Sequence, residues 1–393
     1  MGDGSTVRRS ANIILITTFL SNAGSYLVIP ILAVYLVQTA GLSVAVVGAV
    51  YASMAVAQSA GSLLAGPIAH HIGPKAGLAI GLALRVMAFP IFVVSESTVH
   101  LSVACMLIWC GSGIYVPIAK SVLSAAIPPG NQRAKYLALR NSVANAGVAV
   151  GPIISIGVVR HSSETTLFWS ATALFAVCLV SNFWVVLDKL GTRLSLGNYI
   201  ASLVSLTKMP QAKLLIYTVI VFHALFVLFQ LVMPIYGNAK VSATAPQIAY
   251  LVNSILVVVV PLAVAGWIQR SRDRLCLFLG LSLVAFSCVT MFFCAGQLGV
   301  FVVGVIFISI AEVILIVKID VIASAVAGSL LSISFGAIGV LGTLGAVVGN
   351  QLFSGLLSQT NTQPIFWIIS GGIAAVLAFG VLVVKVPRGT QMS

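Results

Sequence analysis

Hydrophobic residues in this chain come in long runs with almost no polar interruption, and short polar turns separate the runs. Neither strand-like alternation nor the single apolar stripe of a surface helix persists along them, so each run predicts a helix that is apolar all round. A helix crosses the hydrocarbon of a bilayer in about 20 residues, and about twelve runs reach that length. In the first half they are Ala11 to Gln38, Val46 to Ala69, Lys75 to Val94, His100 to Ala126, Ala134 to Val159 and Leu167 to Leu187. After a more polar stretch come Ala212 to Gly237, Pro246 to Ile268, Leu275 to Cys294, Val300 to Val317, Gly328 to Leu357 and Pro364 to Val384.

Composition agrees: 60% of the residues are hydrophobic and only 7% charged, where soluble domains carry about 25% charged residues. A net charge of +13 would point to nucleic acid in a soluble chain. Here the basic residues stand in short loops between apolar runs, so they report topology. An even number of spans puts both termini on one side. That side collects Arg8, Arg9, Lys75, Arg133, Lys135, Lys189, Arg193, Lys208, Lys213, Arg270, Arg272, Arg274, Lys385 and Arg388; the other has Arg160 and Lys240. The positive-inside rule makes the termini and the connector cytoplasmic, in a multi-pass protein of the cell inner (plasma) membrane. No small-residue cleavage site follows a short apolar core, so the first run is expected to be a retained span. The six cysteines lie within or at the ends of helices without CxxC spacing and read as small buried hydrophobes.

The two halves repeat at an offset near 200 residues. Lys120 of "IAKSVLS" pairs with Lys318 of "IVKIDVIAS"; Gly147, Gly151 and Gly157 pair with Gly345, Gly349 and Gly355. Pro30 and Pro234 stand in matching "VIPI" and "VMPI" stretches, and Gly66 and Gly266 open basic turns. Because six helices separate the partners, the copies run parallel about an axis along the membrane normal, as in transporters that rock two bundles around a central site. The fold class expected is therefore all-α integral membrane, with twelve transmembrane helices as two six-helix bundles over residues 1–187 and 212–393 and a cytoplasmic connector at 188–211.

With these features the chain resembles the major facilitator superfamily over nearly its whole length. "GPIAHHIGPK" resembles that family's Gly-x-Leu-Ala-Asp-Arg-x-Gly-Arg-Lys signature between spans two and three. Gly66, Ile68, Ala69, Gly73 and Lys75 fit, whereas His70 and His71 replace the acid and base of the family's gate. Imidazoles there would make the gate's charge depend on pH. "NSVANAGVAVGPIISIG" is similar to the antiporter motif Gly-x-x-x-Gly-Pro-x-x-Gly-Gly through Gly147, Gly151 and Pro152, with Ser155 and Ile156 in place of the last glycines. That motif implies export, with small residues packing a seam between the halves along which they rock. Arg140 in span five and Glu312 in span ten, beside Ala311, resemble the branch of multidrug and metabolite efflux proteins.

Glu312 stands about twelve residues into "VFVVGVIFISIAEVILIVK", roughly 18 Å from the outer end. An acid at that depth costs on the order of 3 kcal/mol, and taking up a proton on one face to release it on the other is what a proton-coupled carrier requires. Arg140 is expected to pair with Glu312 at one stage of the cycle or to hold an anionic substrate. Arg85 is expected to be structural, Lys120 and Lys318 to snorkel, and Asp320 to pair with Lys318. The resemblance implies that spans one, four, seven and ten line the cavity. Thr18, Asn22, Ser25 and Tyr26 would then face Trp109, Ser112 and Tyr115, and His223, Phe226 and Gln230. Such a surface is aromatic and mildly polar, suited to amphipathic organic molecules.

No Gly-x-x-x-x-Gly-Lys-Ser/Thr loop, zinc-type cluster, triad or paired-carboxylate site occurs. The expectation is a non-enzyme that needs no cofactor, no metal and no nucleic acid. Its partners would be a small-molecule substrate, protons and membrane lipid, and the chain would work as a monomer. The rivals are a proton-symport uptake permease for a nutrient and a non-transporting membrane receptor on the same scaffold.

Overall fold

A computed structural model describes residues 4–126, 131–185, 212–327, 331–360 and 364–383; the expected connector at 188–211 lies outside the described residues. No strand occurs among those residues. Backbone N–H and C=O groups find no water at bilayer depth, so runs this apolar must satisfy them within helices. The first span is the helix Gly4–Val34, which ends in a π turn, Tyr35–Thr39. Spans two to five are Val44–His71, Pro74–Val94, Thr98–Ala126 and Asn131–His161; span six is Glu164–Ser181 with a short 3₁₀ turn, Asn182–Trp184. Span seven is broken by a π turn, running Ala212–Val227, Leu228–Val232 and Met233–Lys240. Ala245–Arg270, Asp273–Phe292, Leu298–Ala327, Leu331–Thr360 and Pro364–Val383 are spans eight to twelve.

Eleven described helices are long and apolar enough to cross a bilayer, and span eight carries a further apolar stretch over Ala245–Pro261. The helices overrun the apolar stretches at several ends, the first by beginning at Gly4 rather than Ala11. Hydrophobicity reports depth in lipid, whereas the intrahelical ladder continues into water wherever nothing interrupts it.

The chain divides into two compact units, residues 1–42 with 53–196, and 43–52 with 197–393. In the first, span one packs against spans five and six, and span three against four and six. In the second, span seven packs against eleven, and span nine against ten and twelve. Small residues permit these contacts, because association in lipid depends on close packing rather than on expelling water. A side-chain carbon added at Gly147 would run into Phe19 O, and one at Gly151 would stand 2.7 Å from Tyr26 Cβ and 2.9 Å from Ala23 O. Their repeat partners meet the equivalent helix: Gly345 abuts Ile220 O and Gly349 abuts Ala224 O.

The repeat extends to the helix ends. Lys75 Nζ, in the first turn of span three, donates to Phe183 O at the end of span six (2.6 Å), and Asn182 Nδ2 donates back to Lys75 O (3.0 Å). Arg274 Nη1, in the first turn of span nine, donates to Leu382 O at the end of span twelve (3.2 Å). The last carbonyls of a helix have no partner within it and carry the negative end of its dipole, so a cation there satisfies both needs.

Candidate functional site

In the second unit the polar chemistry gathers around Glu312. Asn253 Nδ2 of span eight donates to Glu312 Oε2 at 2.6 Å and also lies 3.1 Å from Ser309 Oγ, one turn before the acid on span ten. Asn253 and Ser309 are buried. Among the described residues of its own unit, no lysine or arginine forms an ion pair with Glu312. The carboxyl is thus held by neutral groups, on a helix whose neighbours Ile308, Ala311, Val313 and Leu315 are buried. One turn before Asn253, Tyr250 packs on Phe229 with ring centroids 4.8 Å apart, and Phe229, Phe226 and Phe222 continue the stack along span seven at 5.3 and 5.4 Å. His223 closes the row: its Nδ1 donates to Val219 O (2.8 Å) and its ring lies against Gly342 of span eleven. Gln230 is exposed.

The first unit holds its cations in two different ways. Arg85 is buried with its guanidinium over the Phe175 ring, 4.9 Å from the centroid, and its Nε donates to Ile108 O at 3.3 Å. This is the structural role expected of it. Arg140 is equally buried but has a single long contact, Nη1 to Asn141 Oδ1 at 3.5 Å. Near it the Tyr115 hydroxyl lies 2.8 Å from Thr17 Oγ1. Of the other residues expected around the cavity, Asn22 Nδ2 donates to Thr18 O (2.8 Å) and Ser25 Oγ to Ser21 O (2.9 Å), each within span one. Asn22 and Tyr26 also form the surface on which Gly147 and Gly151 sit. Trp109 is half-buried on span four.

Gly147 and Gly151 make close contacts with span one of their own unit, because a glycine pair admits whichever backbone comes nearest. One expectation is corrected. Lys318 does not snorkel. It is 1% exposed, bound to Asp273 Oδ1 at 2.7 Å, Ser271 O at 2.8 Å and Ile268 O at 3.1 Å. Its ammonium therefore ties span ten to the turn between spans eight and nine. In the gate-like stretch, Gly66 lies within span two with open space where a side chain would stand, and Gly73, in the turn that follows, has φ +94°, a backbone that favours glycine. His70 and His71 are exposed with ring centroids 5.1 Å apart, and Lys75 is committed to the Phe183 carbonyl.

Sequence reasoning missed Asn253, Ser309, Thr17, Asp273 and Asn182. Asn253 did leave a signal, an amide in the apolar run "YLVNSILVVVV", since polar groups at that depth need internal partners.

Comparison with known proteins adds to this geometry. The family model described as Major Facilitator Superfamily matches residues 14–349. Multidrug resistance protein MdtH of Shigella dysenteriae serotype 1 (strain Sd197) is 22% identical over 384 residues, covering 93% of this chain and 92% of that protein. Quinolone resistance protein NorA of Staphylococcus aureus is 29% identical over 170 residues, 43% of each chain. The crystal structure of a POT family transporter in complex with 5-aminolevulinic acid superimposes with a TM-score of 0.79 at 14% identity, over 95% of this chain and 96% of that one. At that identity the likeness concerns the fold.

Proposed function

Because the chain belongs to the Major Facilitator Superfamily and is a multi-pass membrane transporter, we propose that it exports a small amphipathic organic compound in exchange for protons, by alternating access. Glu312 carries the proton. The observation behind this reading is a carboxyl deep in span ten whose recorded partner is the Asn253 amide rather than a cation. An ion pair would lock such an acid in its charged form, whereas an amide donor leaves it able to take up and release a proton. Asn253 occupies Oε2, so the proton enters at Oε1.

Export is supported by the fit of Gly147, Gly151 and Pro152 to the antiporter motif and by the names of the relatives, multidrug and quinolone resistance proteins. The aromatic row from Phe222 to Tyr250 would offer an amphipathic compound its apolar contacts. In this reading the bundles are residues 1–187 and 212–393, and both termini face the cytoplasm of a cell whose inner membrane holds the protein as a monomer. One charge moved through 100 mV yields about 2.3 kcal/mol, enough for a concentration ratio of about fifty.

The test is accumulation of a quinolone in inverted membrane vesicles with an acid interior. Wild type should concentrate the compound, Glu312→Gln should lose the gradient of about fifty while still exchanging substrate downhill, and Asn253→Leu should slow turnover about tenfold. Accumulation driven by an acid exterior instead would make the protein an uptake symporter. A Glu312→Gln protein that concentrates substrate like wild type would remove Glu312 from the mechanism.

A further inference from the structure

Among the described residues of its own unit, no acid balances the charge of Arg140. It is 5% exposed, its Nε has no hydrogen-bond partner, and its recorded bond reaches only the adjacent Asn141 at the limit of hydrogen-bond length. Among the described residues of the first unit, the acids Glu96 and Glu164 stand at helix ends, and neither forms a recorded ion pair with Arg140. Arg85 shows that this unit can satisfy a buried guanidinium by itself, with an aromatic face and a backbone carbonyl. Arg140 has no such arrangement.

A second unsatisfied group points the same way. Thr18 is fully buried on span one and its Oγ1 has no hydrogen-bond partner, next to Thr17, whose hydroxyl meets the Tyr115 hydroxyl. Thr17 spends its hydroxyl hydrogen on Ile13 O at 2.8 Å, so the Tyr115 hydroxyl donates to Thr17 Oγ1 at 2.8 Å. The phenol is thereby fixed in place, leaving the guanidinium and the Thr18 hydroxyl as the available donors. A guanidinium presents five N–H groups in a planar fork that matches two oxygens of one carboxylate, and burial without such a partner is costly.

We propose that Arg140 and Thr18, positioned by Tyr115, form a binding subsite for a single carboxylate of the transported compound. Resting on the transporter reading, this adds to it that the amphipathic substrate is an organic acid. One guanidinium balances one negative charge, which favours a monoanionic carboxylate over a phosphate dianion. No bond is made or broken at the site; its chemistry is charge neutralisation and two or three hydrogen bonds.

Equilibrium binding to the purified protein in lipid nanodiscs tests this without any proton gradient, so failure of proton coupling and failure of this subsite are told apart. The probes are 1-naphthylacetate and its uncharged counterpart 1-naphthylacetamide. The carboxylate should bind about tenfold more tightly than the amide. Arg140→Gln should abolish that preference without weakening the amide, Arg140→Lys should retain part of it, and Thr18→Val should reduce it a few-fold. Should Arg140→Gln fail to fold, Arg140→Lys and Thr18→Val carry the comparison. Equal binding of the two probes, no binding of the carboxylate up to its solubility, or a preference that survives all three substitutions overturns the proposal.

Discussion

Lys75 and Arg274 occupy matching places in the two units and do the same thing, whereas Arg140 and Glu312 have no counterparts at all. At the shift that pairs Lys120 with Lys318, Ile338 stands opposite Arg140 and Ile114 opposite Glu312. The units share what holds helices together: glycines of span five on span one and of span eleven on span seven, and a basic side chain capping the last helix of each unit. They differ in where charged side chains stand within the helices. The first unit holds a buried arginine whose Nε is unsatisfied, and the second holds a half-buried acid beside a neutral amide. Packing constrains each copy alike, since both must solve the same helix crossings. A buried charge costs several kcal/mol unless it is paired, and Arg85 and Lys318 have the partners that Arg140 lacks.

The sharpest way to break this comparison is to overfill matched glycines. Gly151→Leu and Gly349→Leu each force a side chain into the backbone of a neighbouring helix, at a cost of about 3 kcal/mol. Both should lower the melting temperature of the purified protein and abolish transport. If one were tolerated and the other not, the two seams would not be equivalent.

Next in size is the lysine pair. Lys318→Ala removes a buried ammonium with three oxygen partners and should cost about 2 kcal/mol, discounted because Asp273 is 51% exposed. Lys120→Ala, at an exposed position, should stay within about 0.5 kcal/mol. Equal losses in a denaturation series would show that the two lysines perform one repeated task after all.

The smallest expected effect is at the helix-end caps. Lys75→Ala and Arg274→Ala should each cost about 0.5–1 kcal/mol, and by similar amounts, because each removes one cation from one helix terminus. Hydrogen exchange of the amides near Phe183 and Leu382 would read this locally. A marked change at only one of the two would mean that Asn182, which also ties Lys75 in place, makes the first cap a different device.

Much of the architecture was legible without coordinates, because lipid leaves a long apolar run no alternative to a helix. The sequence by itself determined the spans, the internal repeat and the presence of an acid and an arginine at bilayer depth. It did not contain the partners of those groups. Asn253 meets Glu312 across 59 positions and Tyr115 meets Thr17 across 98, so each contact depends on how one helix is rotated against another. Lys318 makes the point most plainly: its place near a helix end predicts a side chain reaching for water, and tertiary packing instead closes it over with Asp273 and two carbonyls. Hydrophobicity sets how deep a residue lies, but only the packed structure decides which way it faces and what meets it there, because in lipid that choice rests on shape and hydrogen bonding rather than on expelling water.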